Sequence, residues 1–563
     1  MDASMHQGAH APRSPDRIAS RADYDRVRTA FRWERPEFFN FGRDVIDRWA
    51  HERPAAPALK IVEDARIVER SFGELARNSN RIASGLAALG LSPGERVIFI
   101  LPRRVEWWEG LIGLLKAGLV ALPGTVLLTA KDLHYRIDAG EAVAAIVDAE
   151  GAERIDQLGA VADRLRVKIV VDGPARPGWL TLADLQQQGS DDHAAVNTRA
   201  DDPAIVFFTS GTTGMPKMVL HTQASYGIGH VVTGRYWLDL GPDDLHWNLA
   251  DTGWAKSAWS SVFGPWICGA CVFAHHTTGK FAAADILAQL RVYPITTLCA
   301  APTIYRMLVQ ENLSGFQASA LRTCVAAGEP LNPEVIEVWR RATGLTIRDG
   351  YGQTETVLIC GNFPGVPVRE GSMGLPSPGF DLAVIDAEGQ RAPTDEEGDV
   401  AIRIDPERPV GMFAEYWHDP AAMSHSFRDG WYTTGDRAYI DADGYFWFVG
   451  RADDVITSAA YRIGPFEVES ALITHPAVAE AAVVGSPDPI RGEIVKAFVV
   501  LAAGHAPSEA LARELQEHVK QTTAPYKYPR EVEFVRELPK TTSGKIRRVE
   551  LRRQERERKK FEV

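Results

Sequence analysis

The residues best suited to chemistry form one short run, Thr209-Ser-Gly-Thr-Thr-Gly-Met-Pro-Lys217, directly after the apolar stretch AIVFF at 204–208. Glycines allow a backbone loop to approach phosphate oxygens closely. The amides and hydroxyls of Thr209, Ser210, Gly211, Thr212, Thr213 and Gly214 are donors for those oxygens. Met215 and Pro216 close the loop, and Lys217 adds positive charge. A solvated surface loop is the plain alternative, but hydroxyls, glycines and a lysine directly after a buried strand favour phosphate binding. Met218 follows Lys217, so this is not the G-x-x-x-x-G-K-[ST] loop, and the chemistry of that class is disfavoured.

A second run, Asp349-Gly350-Tyr351-Gly352-Gln353-Thr354-Glu355, offers an aromatic face, backbone room, a hydroxyl and a carboxylate. Mg²⁺ commonly sits between one or two carboxylates and substrate phosphates, and Glu355 suits that use. In WYTTGD, Asp436 suits acceptance from ribose hydroxyls. GRADD supplies Arg451, Asp453 and Asp454, and PKTTSGK ends in Lys545. A lysine on such a C-terminal loop is ordinarily just solvated; the company of the other motifs gives it a role.

These runs need rigid elements to position them. ERVIFIL (95–101), VAAIVD (143–148) and VKIVVD (167–172) read as short buried strands, with helical spacing from Val105 and across AERIDQLGAVADRL. Buried strands alternating with helices predict an α/β fold with largely parallel sheets. Residues 380–450 hold short strands and repeated Gly-Asp turns, which predict a small antiparallel β unit. Beyond 450, FEVESALITHPAVAEAAVVG, GEIVKAFVVL and the amphipathic SEALARELQEHVKQT predict a small α+β domain. The expected division is a flexible leader over 1–35, a large domain over 36–450 and a small mobile C-terminal domain over 451–563. The basic tail after 540 reads as a solvated helix end.

The 563 residues carry a net charge of −12 and five cysteines. The acidic balance argues against a nucleic-acid binder. Few cysteines, odd in number, argue against a disulfide framework and for a reducing compartment. Cys268 and Cys271 form a C-x-x-C with apolar flanks and read as core residues rather than metal ligands. MDASMHQGAHAPRSPDRIAS has no apolar core for a secretory signal and makes a weak transit peptide, so a cytoplasmic protein is expected. WWEGLIGLLKAGLVALPG carries Glu109 and Lys116 and reads as a buried helix and turn, not a membrane span.

The order and wording of these motifs resemble the adenylate-forming superfamily of acyl-CoA synthetases, luciferase and peptide-synthetase adenylation domains, from about residue 36 onward. Within it, FNFGRDVIDRWA, NLADTGWAKSAWSSVFGPWICGACVF, YPITTLCAAPTIYRMLVQ and TAPYKYPREVEFV look like medium-chain acyl-CoA synthetases. The resemblance implies ATP, Mg²⁺ and coenzyme A, and a medium-chain, branched or aromatic acid. It places the 209–217 loop on the ATP phosphates. Gly328, Glu329, Pro330 and Asp349 to Thr354 would line the adenine and acyl-phosphate, with Thr354 beside the substrate carboxylate. Glu355 would hold Mg²⁺, Asp436 the ribose, and Arg451 and Arg462 would lie near the nucleotide. Asp453 would be the hinge, and Lys545 the lysine that enters for the first half-reaction. Ala459, Ala460, Tyr461, Arg491, Lys520, Tyr528, Pro529 and Arg530 would face CoA. Trp254 would wall the acid pocket. Members limited to acetate carry tryptophan where this chain has Gly352, so the pocket floor is expected to be open.

One departure stands out. The family pattern Ser-Gly-Tyr-Arg becomes Ser458-Ala459-Ala460-Tyr461-Arg462 here. A methyl where glycine permits close backbone approach narrows the expected thiol tunnel. Two readings follow: a tolerated small residue, or an enzyme that stops at acyl-AMP or uses another acceptor. A non-catalytic nucleotide-binding protein is a further rival, opposed by the intact Lys217, Glu355, Asp436, Arg451 and Lys545. A membrane-surface role for the basic tail lacks an apolar face to accompany it.

Overall fold

The computed structural model describes residues 17–63, 66–173, 176–209, 216–277, 282–458, 461–489, 491–541 and 545–560. Among them, four sheets form. In the first, Val120–Pro123, Arg96–Ile100, Ala144–Val147 and Val167–Val170 run parallel, and Val120–Pro123 also lies parallel to Pro203–Thr209. Lys217–Thr222 closes antiparallel on Pro203–Thr209. These strands are apolar on both faces because helices cover both sides. The helix Val105–Lys116 is buried along its length, and Trp107 and Trp108 are almost wholly enclosed. No helix of the described residues is long and apolar enough to cross a membrane.

The second sheet orders Ile347–Gly352 beside Thr323–Ala327, Thr297–Ala300, Leu245–Asn248, Cys271–His276 and Pro57–Glu63, all parallel, with antiparallel strands at both edges. The ends of Thr323–Ala327 and Ile347–Gly352 therefore emerge side by side, as expected for ligand positions in α/β sheets. The third sheet is antiparallel and comprises Leu382–Ile385, Gly398–Arg403, Phe427–Arg428, Trp431–Ile440 and Phe446–Arg451. The fourth contains Ile456–Ser458, Tyr461–Ile463, Val478–Asp488, Gly492–Leu501 and Glu531–Phe534. The helices Pro465–Ile473 and Glu509–Thr522 pack their apolar faces on it.

Two expectations change. Within the segment read as a flexible leader, residues 17–35 pack against the body. The helix Arg21–Ala30 is capped by Ser20 and buries Tyr24 and Val27. The Tyr24 hydroxyl donates to Pro376 O at 2.8 Å and the Trp33 indole to Gly379 O at 2.8 Å. Residues 1–16 lie outside the described residues. The tail is also not simply a solvated helix end: Arg548–Lys560 docks by Leu551 and Glu555, both buried. The Lys496 amine, buried on strand Gly492–Leu501, meets Glu555 at 2.9 Å and Glu533 at 2.8 Å. Arg548 forks onto Glu469 at 2.6–3.0 Å. A buried lysine needs such carboxylates, and the basic helix supplies one of them.

Cys268 is half-buried and Cys271 buried; burial pushes both thiols up to about 12.

Candidate active site

Thr209 and Lys217 face each other across the antiparallel pair that brackets the glycine-rich run, so the sheet fixes the residues on both sides of it. Ser210 to Met215 lie outside the described residues. Pro216 O accepts from the Tyr135 hydroxyl at 2.9 Å, which holds the loop's exit. The Lys217 ammonium sits 4.8 Å from the centre of the Tyr416 ring. The Tyr416 hydroxyl in turn donates to Glu355 Oε1 at 2.9 Å. Burial pushes the Glu355 carboxyl up, and the hydrogen bond from Tyr416 pulls it back. One short chain of contacts thus links the glycine-rich run to the acidic end of DGYGQTE.

The same run reaches Asp436 at its other end. Tyr351 Oη donates to Asp436 Oδ2 at 2.5 Å and Gln353 Nε2 to the same oxygen at 2.7 Å. Arg451 Nη1 donates to Oδ1 at 3.1 Å. Asp436 and Arg451 are cross-strand partners in the antiparallel sheet, which brings YTTGD and GRADD together. The carboxylate beside it raises the pKa of Arg451.

Gly328, Glu329 and Pro330 form the turn after Thr323–Ala327. Gly328 has φ of +102°, a conformation that favours glycine. Glu329 is held by Thr303 Oγ1 at 2.9 Å and Arg306 Nη2 at 2.8 Å. Asp349, on the neighbouring strand, is buried and its carboxyl is pushed up to about 8, chiefly by loss of solvent. Gly350 donates its N–H to Asp349 Oδ1 at 2.9 Å. The Thr354 carbonyl lies 2.6 Å from His221 Nε2 and accepts from Tyr226 Oη at 3.1 Å. Burial pushes His221 down to about 3, so its imidazole is neutral and donates.

Trp254 is half-buried and precedes the helix Ala255–Ala258. Gly352 does not face open space: a Cβ there would lie 2.5 Å from Val357 O and 2.6 Å from Trp259 Cη2. Lys545 is exposed, with its N–H on Thr541 Oγ1 at 3.1 Å. Burial lowers the pKa of Lys256, and the charge of Lys545 lowers it further, so the two ammonium groups are within electrostatic reach. Asp453 and Arg462 are exposed; Asp453 is within electrostatic reach of Arg451, and Arg462 of Glu397.

In the C-terminal part, the Lys520 ammonium and the Arg530 guanidinium both cover the Tyr528 ring, at 4.5 and 5.1 Å. Pro529 between them is buried. Tyr461 stacks on Tyr526 at 4.3 Å and pairs with Ser458, which also pairs with Gly492 next to Arg491. Ser458 and Tyr461 are thus paired on either side of Ala459 and Ala460, which lie outside the described residues.

Sequence reasoning missed Tyr416, Trp259 and Lys256. Lys256 Nζ donates to Ala327 O at 2.5 Å, directly before the Gly328 turn. A lysine within the small and apolar stretch ADTGWAKSAW was the available signal for it. Tyr416 and Trp259 gave none, because their roles come from partners far along the chain.

Contacts and electrostatic reach link Lys217 to Glu355 through Tyr416, Arg451 to Asp436, and Lys256 to Asp349 and Lys545. Mixed charge of this kind suits a polyphosphate with a sugar attached. The family model for the AMP-binding enzyme matches residues 46–417, and that for the AMP-binding enzyme C-terminal domain matches 467–545. The chain belongs to the AMP-binding enzymes. The human protein named acyl-coenzyme A synthetase ACSM3, mitochondrial, is 51% identical over 543 residues, covering 95% of this chain and 92% of that protein. Rat ACSM4, also named a mitochondrial acyl-coenzyme A synthetase, is 50% identical over 529 residues, covering 92% and 91%. Among solved structures, the anthranilate CoA ligase AuaEII with anthranoyl-AMP matches with a TM-score of 0.84 and 32% identity, covering 92% of this chain and 98% of that one. A benzoate CoA ligase from Burkholderia xenovorans LB400 matches at 0.80 and 30%, covering 91% and 100%.

Within the AMP-binding enzymes, this chain is an acyl-CoA synthetase, an acid–thiol ligase. The rival that stops at the adenylate is not favoured, since the relatives are named for the CoA product. The expectation of a cytoplasmic protein is overturned: the relatives from mouse, human, orangutan and rat are all named as mitochondrial. A leader poor in apolar residues argued only against secretion; it carried no evidence for the cytoplasm.

Proposed function

We propose that this acyl-CoA synthetase activates a medium-chain fatty acid, or a branched or aromatic acid of similar bulk, and passes it to CoA. In the first half-reaction a carboxylate oxygen of the acid attacks the α-phosphorus of ATP, and pyrophosphate leaves. In the second, the CoA thiol loses its proton and attacks the acyl carbon, and AMP leaves. The supporting observation is the continuous chain from Lys217 through Tyr416 and Glu355 along the strand end to Tyr351, Gln353 and Asp436. In this reading the triphosphate lies at one end of it and the ribose at the other.

In this reading Thr209 to Lys217 cradle the β- and γ-phosphates. Gly328 to Pro330 and Asp349 to Gln353 enclose the adenine, Asp436 takes the ribose hydroxyls, and Arg451 lies beside them. Thr354 orients the acid's carboxylate, with Trp254 and Gly352 along the acid's chain and Arg462 near the nucleotide. Lys545 stabilises charge building on the phosphoryl oxygens. Fixed cations aimed at developing charge are among the largest contributions to such reactions. Glu355 fits Mg²⁺: it is half-buried, loss of solvent disfavours its charge, and one hydroxyl covers one oxygen. When bound there, Mg²⁺ would neutralise phosphate charge.

Residues 36–450 hold the nucleotide, and 451–563 turn about Asp453 between the half-reactions. The turn withdraws Lys545 and brings Tyr461, Arg491, Lys520, Tyr528, Pro529 and Arg530 to the CoA arm, with Ala459 and Ala460 against it. Guanidinium and ammonium groups are suited to the CoA phosphates.

The test is mass spectrometry of AMP and acyl-CoA over acids from acetate to decanoate plus benzoate, with and without CoA. Both products rising together, best in the middle of the series, is expected. Acyl-AMP without acyl-CoA would refute the acceptor, and acetate as the best acid would refute the substrate class.

A further inference from the structure

A cavity of about 280 Å³ opens beside Thr323 and Arg348, at the starts of the strands Thr323–Ala327 and Ile347–Gly352. The Gly328 turn and the run ending in Glu355 follow the other ends of these strands. None of the residues assigned to the nucleotide, the acid or CoA lines the cavity. Its lining is basic: Arg17, Arg322 and Arg348 surround it with Asp239. Arg17 forks onto Asp239 at 2.9 and 3.0 Å. Arg322 donates to Asp239 Oδ2 and to Asp244 Oδ2, each at 2.7 Å. Arg348 is different. It is 8% exposed, and its Nη1 donates to Asn362 O at 2.9 Å. Its Nη2 is buried and has no partner among the described residues, and no ion pair forms there. Burial pushes this guanidinium down to about 10, and Asp239 opposes that only through space.

We propose that this cavity binds a small oxyanion of the phosphate class, held by Arg348 and Arg17 and separate from the ATP site. Three guanidiniums stand here against the carboxylates of Asp239 and Asp244. The surplus positive charge falls on the buried side chain that lacks a counter-ion. A buried charge without a partner is costly, and an anion beside Arg348 removes that cost. Both Asp239 oxygens are covered by Arg17 and Arg322, which limits repulsion of an incoming anion. A guanidinium presents N–H groups in a fork that matches phosphate and carboxylate oxygens. Phosphate suits this cavity better, because its oxygens do not share one plane and can meet guanidiniums from separate segments. The volume also favours a small ion, since pockets for drug-sized ligands run to about 300–1,000 Å³. The Arg17 side chain is 40% exposed, so the anion enters past Arg17 toward Arg348.

The experiment titrates the full chain with sodium phosphate at constant ionic strength, without ATP, and reads heat of binding and melting temperature. The proteins are wild type, Arg348→Met, Arg17→Ala and Lys217→Ala. Saturable binding that raises the melting temperature is expected in wild type and in Lys217→Ala, and its loss in Arg348→Met. Arg17→Ala removes a charge at the exposed rim and is expected to weaken binding about tenfold; it carries the test if Arg348→Met does not fold. No saturable binding to wild type, or undiminished binding to a folded Arg348→Met, would overturn the proposal. Loss of binding in Lys217→Ala with retention in Arg348→Met would place the phosphate on the glycine-rich run and overturn it equally. Sodium chloride giving the same rise at the same ionic strength would reduce the effect to screening. Acetate displacing bound phosphate at equal concentration would overturn the phosphate class.

Discussion

Removing one hydroxyl, Tyr416→Phe, isolates the contact on which the ionisation of Glu355 depends. The phenyl ring remains beneath Lys217, whose ammonium lies 4.8 Å from the ring centre. What is lost is the donor to Glu355 Oε1 at 2.9 Å. Burial already raises the Glu355 pKa, and this hydrogen bond is the largest influence opposing that rise. A hydrogen bond to a charged group contributes about 1.5–3 kcal/mol. Its loss therefore moves the carboxyl further up. In the reading proposed above the adenylation step needs the ionised carboxylate, so the acidic limb of its pH profile moves up with it. Activity at low pH falls about 10- to 100-fold and returns toward the wild-type value as pH rises. Stability moves the other way. A carboxyl whose folded pKa is raised costs nothing at low pH and destabilises the fold as pH climbs through that pKa. The loss of stability in Tyr416→Phe is therefore larger at high pH than at low pH. ATP–pyrophosphate exchange and urea unfolding across the pH range measure both trends. An acidic limb that stays in place, or a uniform loss of activity at all pH values, would refute this account of Glu355.

Three further outcomes are expected. Lys545→Ala lowers ATP–pyrophosphate exchange about 10²–10³-fold with an unchanged melting temperature, and normal exchange would remove Lys545 from the first half-reaction. Asp349, pushed up to about 8 by burial, costs progressively more stability as pH rises from its unfolded value of 3.8 toward 8. Asp349→Asn should accordingly gain on the wild type over that window, and level off above it, in unfolding titrations. Ala460→Gly should leave adenylation unchanged and alter the rate of acyl-CoA formation less than threefold; a large gain would show that the methyl obstructs the thiol.

The site was legible where its chemistry is local. A phosphate cradle needs consecutive amides and small residues, so Thr209 to Lys217 stood out as a candidate, and so did the run from Asp349 to Glu355. The pairing of Asp436 with Arg451 was not legible, because it depends on the register of two antiparallel strands. Burial patterns gave the parallel strands correctly, since continuous apolar runs follow from helices on both faces. The segment 17–35 was misread because its polar composition hid Tyr24 and Val27, which the helix turns inward together. The C-terminal helix was misread for the opposite reason. Its basic sequence looked solvated, yet its Glu555 answers a lysine buried on another strand.

These misreadings share a physical origin that bears on specificity. Residues that bind a ligand's invariant part, the nucleotide, are constrained by short-range geometry and cluster along the chain. Residues that shape the variable part, the acid, need only fill a common volume, and any element bordering that volume can supply the bulk. Gly352 looked like an opening because a single position was read by itself. In the fold, the space beside it is filled by Trp259, whose indole reaches the same strand end through Tyr226 and the Thr354 carbonyl. The Trp259 indole is thus tied by hydrogen bonds through Tyr226 to the backbone of Thr354.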